Sequence, residues 1–163
     1  MTQAIILAGG FGTRLRPLTQ TVPKPMLPIA GLPVTEHQLA MARRAGISSV
    51  VLATSYLAEV FIPYFGDGST WGMKLQYAVE EEPLGTGGAI RNAAQLLNGN
   101  ESIVIFTGDV LSSHNLSRQI QLHESLNADV TMHLTHVADA RAFGCGPIDG
   151  EASVMAVSEN MGK

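Results

Sequence analysis

The chain has 163 residues, 45% of them hydrophobic and 15% charged; that length can bury a core, and that composition excludes a disordered segment. The formal net charge is -4 with only ten Lys and Arg, so the basic stripe that nucleic acid requires is absent and nucleic acid is not an expected partner. An anionic small ligand stays open, because backbone dipoles and a few cations can outweigh the global sign.

The N-terminal Met1-Thr2-Gln3 carries no basic region, and the apolar run Ala4 to Ala8 is too short for a signal peptide or a membrane span. Cys145 is the one cysteine, so these residues form neither an intramolecular disulfide nor a thiolate metal cluster, which suits a reducing compartment. A cytoplasmic protein without a membrane partner is expected.

Gln3 to Ala8 reads as a strand buried on both faces, stopped by Gly9-Gly10. Val34 to Ala45 has a helical period, with Leu39, Ala42 and Ala45 on one side and Gly46 as its stop. Ser49 to Ala53 is the next buried strand, and Leu57 to Phe65 reads as a helix with Pro63 close to its end. Lys74 to Val79 returns as a strand, followed by a helix from about Gly87 to Leu97. Ser102 to Thr107 is a strand that ends in Gly108-Asp109, and Leu116 to Leu126 is a helix. Asp129 to Val137 alternates apolar and polar residues, which predicts a strand with one wetter face. The tail, Pro147 to Lys163, has room for one further strand near Ser153 to Val157. Repeated strand–helix–strand units predict an α/β fold with a doubly wound, mostly parallel sheet and helices on both faces. Residues 1–163 show no internal repeat or linker and read as one domain.

In such folds ligands sit beyond the carboxyl ends of the strands, so the residues after Ala8, Val79 and Thr107 are the ones to inspect. Leu7-Ala8-Gly9-Gly10-Phe11-Gly12-Thr13-Arg14-Leu15 follows the first strand directly. Its three glycines allow close approach of a bulky ligand, and consecutive amides can form an anion-binding concavity. Thr13 adds a hydroxyl donor and Arg14 a planar fork suited to phosphate oxygens; the alternative is a tight turn that merely closes the strand. A dinucleotide fingerprint would need glycine where Leu15 stands, and a P-loop would need Gly-Lys-Ser/Thr, which is absent.

Val22-Pro23-Lys24-Pro25-Met26-Leu27-Pro28-Ile29 follows. The two flanking prolines predict a stiff, extended backbone at Lys24, which loses less freedom on meeting a phosphate. A surface lysine in a proline-rich connection is the competing reading. Glu80-Glu81-Glu82-Pro83-Leu84-Gly85-Thr86-Gly87-Gly88 places a glycine-rich helix start, with free N–H groups, after the strand ending at Val79. A helix cap behind a solvated acidic run is the plain alternative. Asp109, just past a buried strand, is a turn or cap residue or a hard oxygen ligand of the kind Mg²⁺ uses.

Gly9-Gly10-Phe11-Gly12-Thr13-Arg14-Leu15-Arg16-Pro17-Leu18-Thr19 with Pro23-Lys24-Pro25-Met26-Leu27-Pro28 resembles the signature of the sugar-1-phosphate nucleotidyltransferases. The resemblance implies a loop around a nucleoside triphosphate (Leu7, Gly9, Gly10, Phe11, Gly12, Thr13, Arg14), with Arg14 on its outer phosphates and Lys24 at the reacting centre. It implies a nucleobase loop at Glu80, Pro83 and Gly85, and a metal-holding Asp109, with Mg²⁺ as the cofactor. Arg14, Lys24 and Asp109 are then the catalytic set. Glu-Pro-Leu-Gly-Thr-Gly-Gly is similar to the mannose-1-phosphate guanylyltransferase branch, which favours GTP and mannose 1-phosphate. Gly66-Asp67-Gly68-Ser69-Thr70-Trp71-Gly72 resembles the thymidylyl branch, so thymidylyl or uridylyl transfer to glucose 1-phosphate is the alternative. The family is also compatible with a homo-oligomer.

On the sugar side, Ala142-Phe143-Gly144 resembles the family's Tyr-Gly, and Val157-Ser158-Glu159-Asn160 stands where relatives have Glu-Lys-Pro. Gly144 and Glu159 are therefore implied to meet the sugar phosphate, whereas Asn160 replaces the phosphate-binding lysine; Lys163 is a candidate substitute. The family's catalytic domain continues past this chain, so an incomplete sugar-binding part is expected, and a weakly catalytic nucleotide-binding or regulatory subunit is a further alternative.

Overall fold

Gln3–Leu7 forms the first strand, β1, and its five residues are almost wholly buried. In the computed structural model, which describes residues 2–55, 57–139, 148–150 and 153–156, Ala4, Ile5 and Ile6 have no exposed surface. An apolar run buried on both faces needs helices above and below it, and the rest of the chain supplies them. After the glycine loop come three short 3-10 turns, at Thr13–Leu15, Leu18–Gln20 and Lys24–Met26. Pro28–Ile29 (β2) and Leu32–Pro33 (β3) form a small antiparallel hairpin that leads into helix α1, Val34–Arg44. The remaining elements alternate: β4 (Ser49–Thr54), a 3-10 turn and α2 (Phe61–Phe65), a further 3-10 turn (Ser69–Trp71), β5 (Lys74–Val79), α3 (Gly85–Ala94), β6 (Ile103–Thr107) and α4 (Leu116–Ser125).

The main sheet has four strands in the order β5-β4-β1-β6, all parallel. Successive residues of each strand serve opposite faces. Ile6 lies beside Leu52 and Phe106, and these three join Leu39 and Ala42 of α1, Phe61 and Phe65 of α2, and Leu116 of α4 in one core. Ile5 lies beside Val51, and together with Ala53 and Ala78 they pack under Ala89 and Ala93 of α3 on the other side. Burying a side chain such as Phe61 or Ile5 fully is worth about 1.5–3 kcal/mol. The face under α1, α2 and α4, which holds most of the bulky side chains, therefore carries the larger share of the driving force, and the alanine-rich face lets α3 pack close to the sheet. The expected doubly wound parallel sheet is the fold observed.

The order also fixes where a ligand should go. From β1 the chain proceeds outward to β4 and β5, then returns to lay β6 on the other side of β1. That reversal puts the topological switch point between the carboxyl ends of β1 and β6.

Two expectations need correction within the described residues. Asp129 to Val137 forms no strand; its apolar side chains are exposed, Val130 by 76%. Alternation specifies which face a strand would bury, but a strand exists only where a ladder partner meets it. Near the predicted last strand the pairing is a single antiparallel bridge between Ile148 and Val154, supported by the Asp149 side chain accepting from the Ser153 N–H at 2.9 Å. Residues 1–129 and 130–163 form two compact units, and every numbered strand and helix lies in the first. Gly144, Glu159, Asn160, Lys163 and Cys145 fall outside the described residues.

Candidate functional site

β1 and β6 end side by side, so the glycine loop and Asp109 leave the sheet as neighbours. The Gly108 N–H donates to the Leu7 carbonyl at 3.0 Å, which continues the ladder one residue past the strands. At Gly108 a Cβ would fall 2.1 Å from the Leu7 carbonyl oxygen. This glycine is required by close approach of two backbones, not by a turn.

The loop itself is held from two directions. The Thr19 hydroxyl, 1% exposed, donates to the Gly12 carbonyl at 2.8 Å. The Ser55 Oγ, just beyond the end of β4, accepts the Gly10 N–H at 3.2 Å. Gly10 and Gly12 have φ of 102° and 57°, a region where a side chain is strained. Gly12 also packs closely: a Cβ there would meet Thr19 Cγ2 at 2.9 Å and Lys24 Cβ at 3.3 Å.

Lys24 does not lie on extended backbone as its flanking prolines predict. Pro23 is extended, but Lys24 opens the 3-10 turn, with the Met26 N–H donating to the Pro23 carbonyl and the Leu27 N–H to the Lys24 carbonyl. Pro25 occupies the second position of that turn, where its missing N–H costs nothing. The turn directs Lys24 across to β6, where its Nζ forms an ion pair with Asp109 Oδ2. On the opposite flank, the Glu80 N–H continues the sheet by donating to the Thr54 carbonyl at 2.9 Å. Its carboxylate accepts the Leu84 N–H at 3.2 Å, closing the turn ahead of α3. α3 starts at Gly85, earlier than the predicted Gly87, with Gly85 at φ 68°.

Leu7, Gly9, Gly10, Phe11, Gly12, Thr13, Arg14, Lys24, Glu80, Pro83, Gly85 and Asp109 all line one cavity of about 490 Å³. Each residue assigned from the sequence to the catalytic and nucleotide-binding sets is therefore at one place, whereas Gly66 to Gly72 lies elsewhere; the sugar-side candidates Gly144 and Glu159 are outside the described residues. The cavity also takes in Ser55, Thr86 and Thr107, which sequence reasoning missed. Ser55 had a usable signal, because it follows a buried strand just as Gly9 and Gly108 do.

Fold and site together define a parallel α/β domain whose strand ends surround one pocket with backbone amides, two cations and two carboxylates. The chain belongs to the nucleotidyl transferase family, whose pattern matches residues 3–160. It is 52% identical over 156 residues to the mannose-1-phosphate guanylyltransferase of Mycobacterium tuberculosis, covering 96% of this chain and 43% of that protein. It is 38% identical over 142 residues to the D-glycero-alpha-D-manno-heptose 1-phosphate guanylyltransferase of Aneurinibacillus thermoaerophilus, covering 87% of this chain and 61% of the relative. The crystal structure of HddC from Yersinia pseudotuberculosis complexed with GMP-PN superposes with a TM-score of 0.75 at 28% identity, over 98% of this chain and 70% of that one. The chain thus spans about half the length of the curated relatives it matches. No helix among the described residues is long and apolar enough to cross a membrane.

Proposed function

We propose that this chain carries the nucleotide-binding part of a sugar-1-phosphate guanylyltransferase. The reaction transfers a guanylyl group from GTP to a sugar 1-phosphate, mannose 1-phosphate foremost, and releases pyrophosphate. One observation carries this reading: the glycine loop, Arg14, Lys24, Asp109 and Glu80 share a single cavity at the carboxyl end of the sheet.

In the reaction a phosphate oxygen of the sugar 1-phosphate attacks the α-phosphorus in line. A new oxygen–phosphorus bond forms as the bond to the β-phosphate oxygen breaks, and pyrophosphate carries the electron pair away. The nucleophile is already an anion, so no side chain has to remove a proton. The work left to the protein is positioning and charge neutralisation. The amides of the Gly9 to Thr13 loop and Arg14 hold the outer phosphates, and Lys24 lies against the centre where charge builds.

The donor set fits Mg²⁺. Asp109 offers a single hard carboxylate at the cavity, and the described residues include no cluster of three or more His, Cys, Asp or Glu able to cage a metal. Mg²⁺ typically takes one or two carboxylates and fills its remaining positions with phosphate oxygens and water. Bound there, it would add positive charge against the triphosphate.

Guanine is favoured by the chemistry of Glu80. A carboxylate only accepts hydrogen bonds, and guanine's Watson–Crick edge presents two adjacent donors, whereas uracil and thymine present one. The names of the relatives at 52% and 38% identity support guanine and a manno-configured sugar in the same direction. Gly144 and Glu159 are the residues proposed for the sugar side.

Pyrophosphate release tests the reading. The chain is incubated with Mg²⁺, GTP, UTP or dTTP, and mannose 1-phosphate or glucose 1-phosphate. GTP with mannose 1-phosphate is expected to react fastest. Preference for UTP or dTTP with glucose 1-phosphate would move the assignment to the alternative branch, and saturable GTP binding without pyrophosphate would make this a binding or regulatory part.

A further inference from the structure

Helix α1 carries two buried polar side chains on its core-facing side, and the reaction described above uses neither. Thr35 is 0% and Gln38 2% exposed, and their spacing of three places them on one face of the helix. The Thr35 hydroxyl donates to the Pro25 carbonyl at 3.1 Å, in the residue next to Lys24. Gln38 Nε2 donates to the Thr107 carbonyl at 2.7 Å and to the Val110 carbonyl at 2.9 Å. Those two carbonyls bracket Gly108-Asp109, whose turn is itself closed by the Val110 N–H on the Thr107 carbonyl at 3.0 Å.

One helical turn therefore grips both backbone segments that present the ion pair of the site. The Oε1 of Gln38 adds a second clue: it is buried without a hydrogen-bond partner among the described residues. The amide thus spends its donor group on both carbonyls that bracket the Asp109 turn, and an apolar residue of similar shape would leave those carbonyls without it.

We propose that Thr35 and Gln38 are positioning residues that set the distance between Lys24 and Asp109, and through it the place of the divalent cation relative to the phosphates. The proposal rests on the nucleotidyl-transfer reading. Residues that orient a metal ligand without touching the metal typically alter metal affinity or activity by about 10–100-fold, and effects of that size are expected here.

The test measures GTP binding to the full chain by calorimetry, in EDTA and again with Mn²⁺, alongside pyrophosphate kinetics. Gln38→Met keeps the volume but removes the donor. It should leave GTP affinity in EDTA within about twofold of the parent and weaken the Mn²⁺-dependent gain in affinity about tenfold. Its kcat should fall by more than its KM for GTP rises. Thr35→Val should shift the same readouts in the same direction, and Thr35→Ser, which keeps the hydroxyl, should restore them. That pair carries the test if Gln38→Met does not fold. An unchanged Mn²⁺ dependence in Gln38→Met, or in Thr35→Val, overturns the proposal. A parent chain that binds GTP in neither condition overturns the nucleotide reading itself, and the positioning role with it.

Discussion

Gly108→Ala tests how tightly the two strand ends at the switch point are packed. The added methyl would lie 2.1 Å from the Leu7 carbonyl oxygen, 3.0 Å from the Leu7 carbonyl carbon and 3.3 Å from Ala8 Cα. The first distance is about 0.9 Å short of the 3.0 Å that real Cβ contacts keep, and all three neighbours are backbone atoms. No side chain can turn aside to relieve it, so β1 and β6 must part at their ends by roughly that amount. The hydrogen bond from the Gly108 N–H to the Leu7 carbonyl then weakens, at about 1 kcal/mol, and crowding a packed site adds about 1–3 kcal/mol. The expected loss of stability is about 2–4 kcal/mol.

Asp109 is the next residue along, so the displacement reaches the proposed metal ligand almost undiminished. A misplacement of about 1 Å can cost about 10²-fold in rate. Urea unfolding measures the first effect and pyrophosphate release the second. Gly99→Ala is the control: nothing lies within 4 Å of the point its new methyl would occupy, and a surface change of that kind stays within about 0.5 kcal/mol. A Gly108→Ala protein that unfolds at the parent's urea midpoint and turns over at the parent's rate would refute the crowding argument.

Lys24→Ala should lower kcat by about 3–4 kcal/mol of transition-state stabilisation, as expected for a preorganised charge, and weaken GTP binding far less; equal losses in kcat and affinity would contradict its place at the reacting centre. Glu80→Gln converts a pure acceptor into a group that also donates, and should reduce discrimination between GTP and UTP by about 1–3 kcal/mol, in line with a lost two-point base contact, measured as the ratio of kcat/KM values. Tyr77→Phe probes stability in alkali: burial, and then the charge of Asp67, push the Tyr77 phenol above its ordinary 10.0, so the folded state retains a proton that the unfolded chain releases. Stability from this group is complete below about pH 10 and lost as pH rises toward the raised folded value, and the Phe variant should show a flatter stability curve above that pH.

The sheet was legible because its strands are buried on both faces. Uninterrupted runs such as Ile5 to Ala8 and Val50 to Ala53 need no partner information to be recognised, and Gly9, Gly46 and Gly108 mark where runs or helices stop. Most of the candidate site was legible for a different reason: each glycine or charged residue has a plain structural alternative taken alone, and it is the long ordered motif from Gly9 to Pro28 whose resemblance implied their shared role. What escaped depends on contacts between distant segments. The hairpin at Ala30-Gly31, with φ of 51° and 86°, is flanked by prolines that argue against strand when read locally. Lys24 was expected on extended backbone because proline restricts its neighbour, yet hydrogen bonds across Pro23 to Leu27 draw it into a turn. Asp129 to Val137 has the right alternation and no ladder. Thr35 and Gln38 look like ordinary polar positions until their carbonyl partners, 10 and 69 residues away, are brought beside them.

The ion pair between Lys24 and Asp109 has a bearing on how such a site can be both organised and usable. Their side chains are 31% and 36% exposed, and pairs with that much access to water contribute only about 0–1 kcal/mol. A fully buried pair would cost about 3–5 kcal/mol to break by losing one partner, which a substrate would have to offset before any catalytic gain. At the observed exposure the exchange that the proposed reaction calls for is nearly neutral: phosphate oxygens would take over Lys24, and a cation would take over Asp109. Each charge keeps an opposite neighbour before and after the exchange, and neither side chain has to travel far. The backbone segments beneath them are hydrogen-bonded to α1 and to the end of β1. On the proposed reading the site combines a spacing set by those buried hydrogen bonds with partners that exchange at a pair open to solvent.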